Sequence, residues 1–486
     1  MTSRLILALD IGTSSTRSAL FDLKANRLEH STAQQGYPLI TSAEGGAELE
    51  PSVVLEAVRE CLKETMRIYR TDPELHGREI AGIGTSCFWH SMVGTNANGD
   101  VLKRILTWAD SRCRQDAAKL RKELGEKRVH ARTGCMLRTS FWPAKLAWLQ
   151  RTNGKVFARV KHWMSPAEWV QKVLVGEANC AVGMATGTGL FNPSKLEWDS
   201  GLLDRFNLSP QKLQPLSEEP SVVGGELAKA VPELRGVPWF PAIGDGAASN
   251  LGSGATRPGL AAINVGTSAA LRIMREGKNA TAPFGLFCYR VDAARFLVGG
   301  AVSNAGNLRA WCVRELRLPD DATVEAELAR RPGPVANLDV LPFWMVERAP
   351  RWNEEATGAI LGLGQYTSAL DLYQAITEAG YQRIARIADV LLAQEATAPK
   401  FIVSGGIQHS KQALQRLADV LGQNVHPNDE LEASIRGAAI SVLEKLGLPV
   451  PPAQFGRAVK PRQKFADLYA KARQRQSRLE ELLESF

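Results

Sequence analysis

Hydrophobic and polar positions along the chain predict alternating strands and helices from its first residues. The apolar run Leu5–Leu9 predicts a buried strand, and Arg17–Asp22 and Arg27–Ala33 predict two more. Apolar residues three and four apart predict a helix over Pro51–Tyr69, and Ile80–Thr85 predicts the next strand. The first part of the chain therefore has the predicted order β-β-β-α-β, which places it in the α/β class.

The pattern begins again near residue 240. Pro241–Gly246 predicts a strand that ends in a turn, two strands surround Gly266–Ser268, and Phe401–Val403 predicts another strand. Val101–Thr107 is also a predicted strand. Predicted helices cover Ser111–Leu124, Phe141–Gln150, Ser165–Val175, Ser303–Arg314, Ser368–Ala393, Lys411–Leu421 and Leu431–Lys445. We expect residues 1–246 to form an N-terminal domain, 247–450 a C-terminal domain, and 451–486 an amphipathic terminal helix.

One motif occurs twice, once in each half. Asp10 ends the first strand and is followed by Gly12-Thr13-Ser14, and Gly266-Thr267-Ser268 follows a strand in the second half. A Gly-Thr-Ser turn offers backbone N–H groups and hydroxyls to phosphate oxygens. Asp10 is suited to hold Mg²⁺ against those phosphates, whereas Asn264 stands at the matching place in the second copy.

These paired turns resemble the nucleotide site shared by actin, Hsp70 and sugar kinases. The resemblance implies two ribonuclease-H-like domains with a nucleotide in the cleft between them. No GxxxxGK[ST] loop occurs, and no GxGxxG follows a strand, so other common phosphate motifs are absent. Ser404-Gly405-Gly406 follows a strand and Ser410 opens a helix, which suits contact with a base or ribose.

Polar and aromatic residues cluster at the ends of two strands in the first half. Trp89 and His90 follow one strand, and Trp108 and Asp110 follow another. Rings that shape a wall, together with hydroxyl-binding groups, suit a polyol. Asp245, at the turn where the pattern begins again, is suited to accept the proton of an attacking hydroxyl during phosphoryl transfer.

Composition narrows the alternatives. The 486 residues carry a net charge of +8 and 44% hydrophobic residues, without an apolar run long enough for a membrane span or a signal peptide. The seven cysteines are scattered and form no CxxC, which indicates reduced thiols in a cytoplasmic protein. The basic stretch Arg457–Arg478 favours a solvated helix face, with an RNA-binding arm as the alternative. We expect no nucleic-acid partner and leave open whether the chain forms a homodimer.

The chain resembles the FGGY family of carbohydrate kinases along nearly its whole length. The motifs that carry the resemblance are Asp10-x-Gly-Thr-Ser-x-x-Arg17, Trp108-x-Asp110-x-Arg112, Thr133-Gly134, Lys145-Leu-x-Trp148, Gly244-Asp245-Gly246, Val265-Gly-Thr-Ser268 and Ser404-Gly-Gly406. The resemblance implies that Asp245 is the catalytic base and that Asp10 is associated with magnesium. It implies phosphate contacts at Thr13, Ser14 and Arg17, nucleotide contacts at Gly266, Thr267, Gly306, Gly405, Gly406 and Ser410, and sugar contacts at Trp89 and His90.

Within that family the similarity is greatest to gluconate kinases, through His90-Ser91, Thr107–Arg112 and Ala185–Asn192. Trp89 departs from the small or Met residue usual in that subgroup, and Arg138-Thr139 replaces a His-Pro step. We assign Arg138 as the partner of the substrate carboxylate, because guanidinium pairs bidentately with carboxylate. A surface position for Arg138 is the alternative.

We therefore predict ATP- and Mg²⁺-dependent phosphorylation of a small sugar or sugar acid on a terminal hydroxyl, with D-gluconate as the favoured acceptor. A ketopentose or polyol such as xylulose, ribulose or glycerol is the alternative acceptor. An actin- or Hsp70-like ATPase and an inactive sugar sensor are alternatives of other classes. The presence of both Asp10 and Asp245 favours a catalytic protein.

Overall fold

The computed structural model describes residues 4–28, 30–428, 430 and 432–483, and the chain forms two compact units. The first unit contains the chain up to Gly254 together with Arg275–Leu297 and Glu432–Ala453. The second unit contains Ala255–Met274, the chain from Val298 up to the residue before Glu432, and the chain from Gln454 onward. The sequence placed one boundary after residue 246. The structure instead extends the first unit by eight residues and returns two later segments to it.

Up to Gly254, two short strands that were not predicted precede the first helix. The elements in this part of the chain are β1 (Leu5–Ile11), β2 (Ser15–Phe21), β3 (Ala33–Gly36), β4 (Ile40–Thr41), β5 (Ala47–Leu49), α1 (Pro51–Thr71), β6 (Ile80–Cys87), β7 (Val93–Thr95), β8 (Ile105–Leu106), α2 (Arg114–Leu124), α3 (Glu126–Thr133), α4 (Trp142–Thr152), α5 (Gly154–Arg159), β9 (His162–Met164), α6 (Pro166–Val175), α7 (Val182–Thr188), β10 (Phe191–Asn192), β11 (Glu197–Trp198), α8 (Ser200–Arg205), β12 (Ser221–Val222), α9 (Gly225–Ala230), β13 (Pro238–Trp239), β14 (Ile243–Gly244) and α10 (Asp245–Ser253).

The remaining elements complete both units. They are β15 (Leu260–Val265), β16 (Ala269–Glu276), β17 (Phe287–Arg290), β18 (Arg295–Val302), α11 (Gly306–Glu315), α12 (Asp321–Arg330), β19 (Asp339–Leu341), β20 (Ala359–Leu361), α13 (Ala369–Leu392), β21 (Lys400–Ser404), α14 (Lys411–Leu421), β22 (Val425–Pro427), α15 (Ala433–Lys445) and α16 (Gln463–Leu483). In the part of the chain that the structure describes, no helix combines the length and apolar character of a membrane span.

The central sheet of the first unit has the strand order β12-β13-β6-β1-β2-β3, and β14 also pairs with β6. β1 is antiparallel to β2 and parallel to β6, as the β-β-β-α-β pattern predicts. Leu5–Leu9 is fully buried, and α1 and α15 pack against this sheet. Because β6 and β14 both run parallel to β1, three strands end at the same edge of the sheet.

The second unit repeats this arrangement. β15 is antiparallel to β16 and parallel to β21, and five strands follow the order β18-β16-β15-β21-β22. The repeated strand–turn–strand motif of the sequence is therefore a repeated hairpin beside a parallel strand. This is the mixed α/β architecture that the sequence predicts for both halves.

Two predicted strands differ from the structure. The predicted strand Arg27–Ala33 is interrupted by a turn in which the Ser31 backbone N–H donates to Leu28 O. Arg27 forms only an isolated bridge with Phe21 of β2, and continuous pairing with β2 begins at Ala33. Glu29, within that prediction, lies outside the described residues. The predicted strand Val101–Thr107 is reduced to β8. Eight helices are predicted before residue 451, and all eight are present, although Leu431 at the start of one lies outside the described residues.

The terminal helix α16 packs on the second unit through polar side chains. Tyr469 Oη donates to Glu378 Oε1 at 2.7 Å, and Glu480 is 2% exposed and accepts from Arg383 Nη1 at 2.9 Å. On its outer side, Arg475 pairs with Asp339 at 3.1 Å. The helix is therefore part of the fold, and its basic residues are partly neutralised within the chain. Residues 484–486 of the predicted helix lie outside the described residues.

Candidate active site

The turn between β1 and β2 is held in a fixed shape by its own backbone and by one tyrosine. Gly12 N–H donates to Ser15 O at 2.9 Å. Tyr37 adds two bonds, from its hydroxyl to Gly12 O at 2.6 Å and from its backbone N–H to Ser14 O at 2.9 Å. Thr13 is half-buried and Ser14 is exposed. The turn is thus preorganised, with the Ser14 side chain at the surface of the first unit.

Asp10 and Asp245 lie at the same edge of the first sheet. Asp10 is in register with Ser86 on β6, and Ser86 is in turn in register with Ile243 on β14. β14 ends at Gly244, and Asp245 follows it directly. One strand, β6, lies between β14 and the strand β1 that carries Asp10. Since the three strands are parallel, their carboxyl ends bring the two carboxylates close together.

The electrostatics of Asp10 reflect this arrangement. Burial raises the pKa of Asp10 from 3.8 to about 6, the Ser86 hydroxyl lowers it, and the negative charge of Asp245 raises it further. Arg17 lowers the pKa of Asp10 and Glu432 raises it. Because the two negative charges repel each other, a cation bound beside them would be attracted by both carboxylates.

Asp245 is the first residue of α10, and its carboxylate lies at the positive end of the helix dipole. Asp245 Oδ1 accepts from Gly246 N–H at 2.8 Å, and the residue is half-buried. The sequence predicted a strand, a turn and a helix start here. The structure has no separate turn, because the helix begins at Asp245 itself.

Arg17 stands opposite Asp10 in the β1–β2 register. Its Nη1 pairs with Glu432 Oε2 at 2.6 Å, and both side chains are about one-third exposed. The expected phosphate contact of Arg17 stays a prediction, and a phosphate would share this guanidinium with Glu432.

The side chains at this edge suit Mg²⁺. Magnesium prefers hard oxygen ligands and is commonly held by one or two carboxylates together with substrate phosphates. Within residues 4–28, 30–428, 430 and 432–483, no three His, Cys, Asp or Glu side chains gather into a metal cage. Asp10, with Asp245 beside it, has the oxygen ligands that suit Mg²⁺.

Trp89 and His90 are enclosed by aromatic rings and by helix α7. Trp89 is 5% exposed, and its Nε1–H donates to Gly183 O at 3.0 Å. His90 has a positive φ of 66°, and its Nδ1 lies 2.5 Å from Gly187 O. Since a carbonyl only accepts, Nδ1 donates the proton in this contact, which fixes the orientation of the ring. The expected contact of His90 with a sugar hydroxyl stays a prediction.

Trp108 connects the two predicted strand-end clusters to the Gly12–Ser14 turn. Its Nε1–H donates to Thr13 Oγ1 at 3.1 Å, and its backbone N–H donates to Ser91 Oγ at 3.1 Å. Asp110 is 1% exposed and is held by Arg112 Nη2 at 2.6 Å and by Ala47 N–H at 3.1 Å. Both of these bonds end on Asp110 Oδ2, and Arg112 donates to Oδ1 from its backbone N–H at 3.2 Å and from Nε at 3.1 Å. Both carboxylate oxygens are therefore occupied, and Asp110 fixes the loop that presents Trp108.

Arg138 is largely buried rather than on the surface. Its Nη2 pairs with Glu126 Oε2 at 2.9 Å, and its side chain is 13% exposed. Glu126 Oε1 also accepts from Leu137 N–H at 3.0 Å. A substrate carboxylate at Arg138 would therefore have to share the guanidinium with Glu126.

Three residues near these clusters were not assigned roles from the sequence. Lys145 Nζ donates to the carbonyl oxygens of Ser140 and His90, and burial lowers the pKa of Lys145 to about 8. The Tyr289 ring lies 4.8 Å from that of Trp89 and 5.5 Å from that of His90. Lys145 was visible only as part of a motif, whereas Tyr289 and Tyr37 are far away in sequence and carry no local signal.

In the second unit, the predicted nucleotide residues surround the turn between β15 and β16. Gly266 N–H donates to Ser268 O at 2.9 Å, and Gly306 N–H donates to Gly266 O at 2.9 Å. Asn307 N–H donates to Thr267 O at 3.0 Å, so the start of α11 is bonded to the turn. A Cβ on Gly306 would lie under 3.0 Å from Gly266 O, which requires glycine at that position.

The Gly405-Gly406 turn lies beside the same hairpin, because Asn264 on β15 is in register with Ser404 on β21. Gly405 has a φ of +91°, and a Cβ there would lie 2.5 Å from Val265 O, whereas Gly406 is exposed and a Cβ there would meet no atom within 4 Å. The expected nucleotide contact of Ser410 stays a prediction. Its side chain caps α14 by accepting from Ala413 N–H at 2.9 Å, and it donates to Glu325 at 2.7 Å.

Two sequence profiles match the chain. The profile of the FGGY family of carbohydrate kinases, N-terminal domain, matches residues 5–252, and that of the C-terminal domain of the same family matches residues 261–442. The chain therefore belongs to the FGGY family of carbohydrate kinases. The predicted family, the two-domain α/β fold and the kinase class are thereby confirmed.

Individual relatives differ in the acceptor that their names specify. A gluconokinase from Bacillus subtilis is 28% identical over 91% of this chain and 88% of its own length. A gluconate kinase structure from Lactobacillus acidophilus is 25% identical with a TM-score of 0.88, covering 99% of this chain and 98% of that chain. A xylulose kinase structure from the same organism has 25% identity and a TM-score of 0.89 over the same shares. Glycerol kinases also occur among the relatives. The family fixes a sugar kinase, and the comparisons leave its acceptor open.

Proposed function

We propose that this protein transfers the γ-phosphoryl group of ATP to a terminal hydroxyl of D-gluconate, with Asp245 as the general base. The observation that carries the proposal is the adjacency of Asp10 and Asp245 at the carboxyl ends of parallel strands. Phosphoryl transfer requires alignment, charge neutralisation and an acceptor for the hydroxyl proton. Asp245 provides the last of these, and Asp10 would hold the metal.

Each group of residues then has one task. Thr13, Ser14 and Arg17 contact phosphate oxygens, and Asp10 would hold Mg²⁺, which neutralises charge on the phosphates when it is bound. Gly266, Thr267, Gly306, Gly405 and Gly406 contact the nucleotide through backbone that lacks obstructing side chains. Ser410 supports this region from the start of α14.

On the acceptor side, the His90 ring accepts a hydrogen bond from a hydroxyl, and Trp108 shapes the wall next to the Gly12–Ser14 turn. Gluconate as the acceptor is supported by the gluconokinase relative and by the sequence motifs around His90 and Trp108. Arg138 is the proposed cation for its carboxylate, in competition with Glu126. Xylulose is the second candidate, because the structural similarity to a xylulose kinase is equally strong.

An ADP-release assay with Mg²⁺ and a panel of gluconate, xylulose, ribulose and glycerol tests the proposal. We expect kcat/KM to be highest on gluconate, and ³¹P NMR of the product to show a primary phosphate ester. Preference for xylulose would select the second candidate. An ATPase rate that no acceptor increases would favour a sensor or a protein with another acceptor.

A matched control variant distinguishes turnover by this protein from turnover by a contaminating kinase. Asp245→Asn removes the base while keeping the size of the side chain, and Asp204→Asn changes an exposed aspartate on α8 of the same unit. We expect acceptor-dependent turnover to be lost in the first variant and retained in the second.

A further inference from the structure

Trp89 is enclosed between the strand that leads to Asp245 and helix α7. The end of β6 precedes Trp89, and the same end of β6 pairs with β14, which stops at Gly244. On the other side, α7 supplies Gly183 O as the acceptor of the indole N–H. The indole is therefore fixed by a hydrogen bond as well as by contact.

Two glycines make room for this indole. A Cβ on Gly244 would lie under 3.0 Å from atoms of the Trp89 ring, and so would a Cβ on Gly187. Gly244 has φ −69° and ψ 146°, a backbone conformation that any L-residue adopts. In the described structure, the atoms nearest to a Cβ at residue 244 all belong to Trp89.

We propose that Trp89 is a positioning residue that acts through Gly244 on Asp245, rather than a side chain that reads the acceptor. The indole fills the space next to Gly244 and thereby fixes the end of β14 and the position of the Asp245 carboxylate. The ring lies in the protein interior, because the residue is 5% exposed and the indole N–H is bonded to Gly183 O. The proposal rests on the proposed role of Asp245 as the general base.

The proposal makes a double-substitution prediction that a substrate-reading role does not make. Gly244→Ala introduces a methyl group into the indole, which displaces Asp245 from its position. A misplacement of about 1 Å in a catalytic group lowers turnover by about 10²-fold. We expect kcat of Gly244→Ala to fall by about that factor. In Trp89→Ala/Gly244→Ala the clash is absent, and kcat should recover at least about tenfold relative to Gly244→Ala.

Gly82→Ala provides the matched control. Gly82 lies on β6 of the same sheet, and a Cβ there would lie 2.9 Å from Val442 Cγ1 and would not be opposed by Trp89. Trp89→Ala should therefore not rescue Gly82→Ala. Thermal unfolding of the same variants provides a second readout, since the melting temperature of the double variant at residues 89 and 244 should exceed the value expected from adding the two single effects.

The single variant Trp89→Phe distinguishes positioning from acceptor binding. Positioning predicts a lower kcat on gluconate and xylulose alike, with each acceptor KM within about threefold of the wild type. A change of KM that differs between the two acceptors would overturn the proposal, as would equal kcat values for Gly244→Ala with and without Trp89.

The outcome for Asp245→Asn keeps the two proposals distinguishable. If that variant retains turnover, the proposed function is wrong, whatever the coupling between residues 89 and 244. If it loses turnover while the double variant shows no rescue of kcat or melting temperature, only the positioning role of Trp89 is wrong.

Discussion

Replacing Asp10 with asparagine should stabilise the first unit while impairing catalysis. The fold raises the pKa of Asp10 from 3.8 to about 6, chiefly by burial and then through Asp245. At about 1.36 kcal/mol per pKa unit, this rise corresponds to about 3 kcal/mol of destabilisation when the carboxylate is ionised. Because Asp10 keeps partial exposure, that value is an upper bound.

The pH dependence follows from the direction of the shift. Between pH 3.8 and about 6 the folded state binds more protons at Asp10 than the unfolded state, so stability falls as pH rises through this window. Above about pH 6 the full destabilisation is present, and below pH 3.8 the carboxyl group is neutral in both the folded and the unfolded state. Asparagine carries no charge at any pH, so the benefit of Asp10→Asn should grow from about zero near pH 3.8 to its maximum above pH 6.

Calorimetric melting of wild type and Asp10→Asn at pH 4, 5, 6, 7 and 8, without nucleotide, tests this reasoning. We expect a gain of a few degrees at pH 7 and 8, since about 1 kcal/mol shifts the melting temperature of a large unit by about 2 °C. The gain should shrink toward pH 4. Asp204→Asn, on an exposed helix surface, is the matched control and should show no such trend. A variant that melts below the wild type at pH 7, or whose gain does not change with pH, would refute the electrostatic argument.

Three further predictions concern catalysis, the acceptor and stability. Asp245→Asn should lower kcat by about 10²–10⁴-fold, the usual size of general-base catalysis, while calorimetric titration gives unchanged affinities for ATP and acceptor. Arg138→Ala should raise KM for gluconate by about tenfold or more with little effect on xylulose, taking a charge-assisted pair as about 1.5–3 kcal/mol; equal effects on both would reject its carboxylate role. Glu480→Ala should destabilise the second unit by about 3–5 kcal/mol in urea unfolding, because it leaves the buried Arg383 and the half-buried Arg386 without this partner, and a variant as stable as the wild type would contradict that account.

The strand order and the position of Asp10 at a strand end were predictable because their signals are local. Leu5–Leu9 is a continuous apolar run, Asp10 ends it, and the Gly-Thr-Ser turn follows at once. The hairpins beside a parallel strand in both units follow from that pattern together with the second copy around Gly266. Local hydrophobicity and turn residues are sufficient for such a prediction, since neither depends on distant partners.

Other features could not be predicted, because they depend on contacts between residues far apart in the sequence. Tyr37 holds the Gly12 turn from the position directly after β3, and Tyr289 contacts Trp89 through a segment that returns to the first unit. On α16 the apolar pattern stops at Ala472, yet the buried face continues to Glu480. A buried carboxylate looks like a surface residue in the sequence until its arginine partners are known.

The arrangement at the sheet edge explains why stability and activity should change in opposite directions there. A fold selected for stability alone would not place a partly buried carboxylate at Asp10 beside a second one at Asp245, since each disfavours ionisation of the other. A cation that arrives with the phosphates relieves this repulsion only while substrate is bound. Mg²⁺ with a nucleotide should therefore raise the melting temperature of the wild type more than that of Asp10→Asn. An equal increase in both proteins would show that Asp10 does not contribute to metal binding.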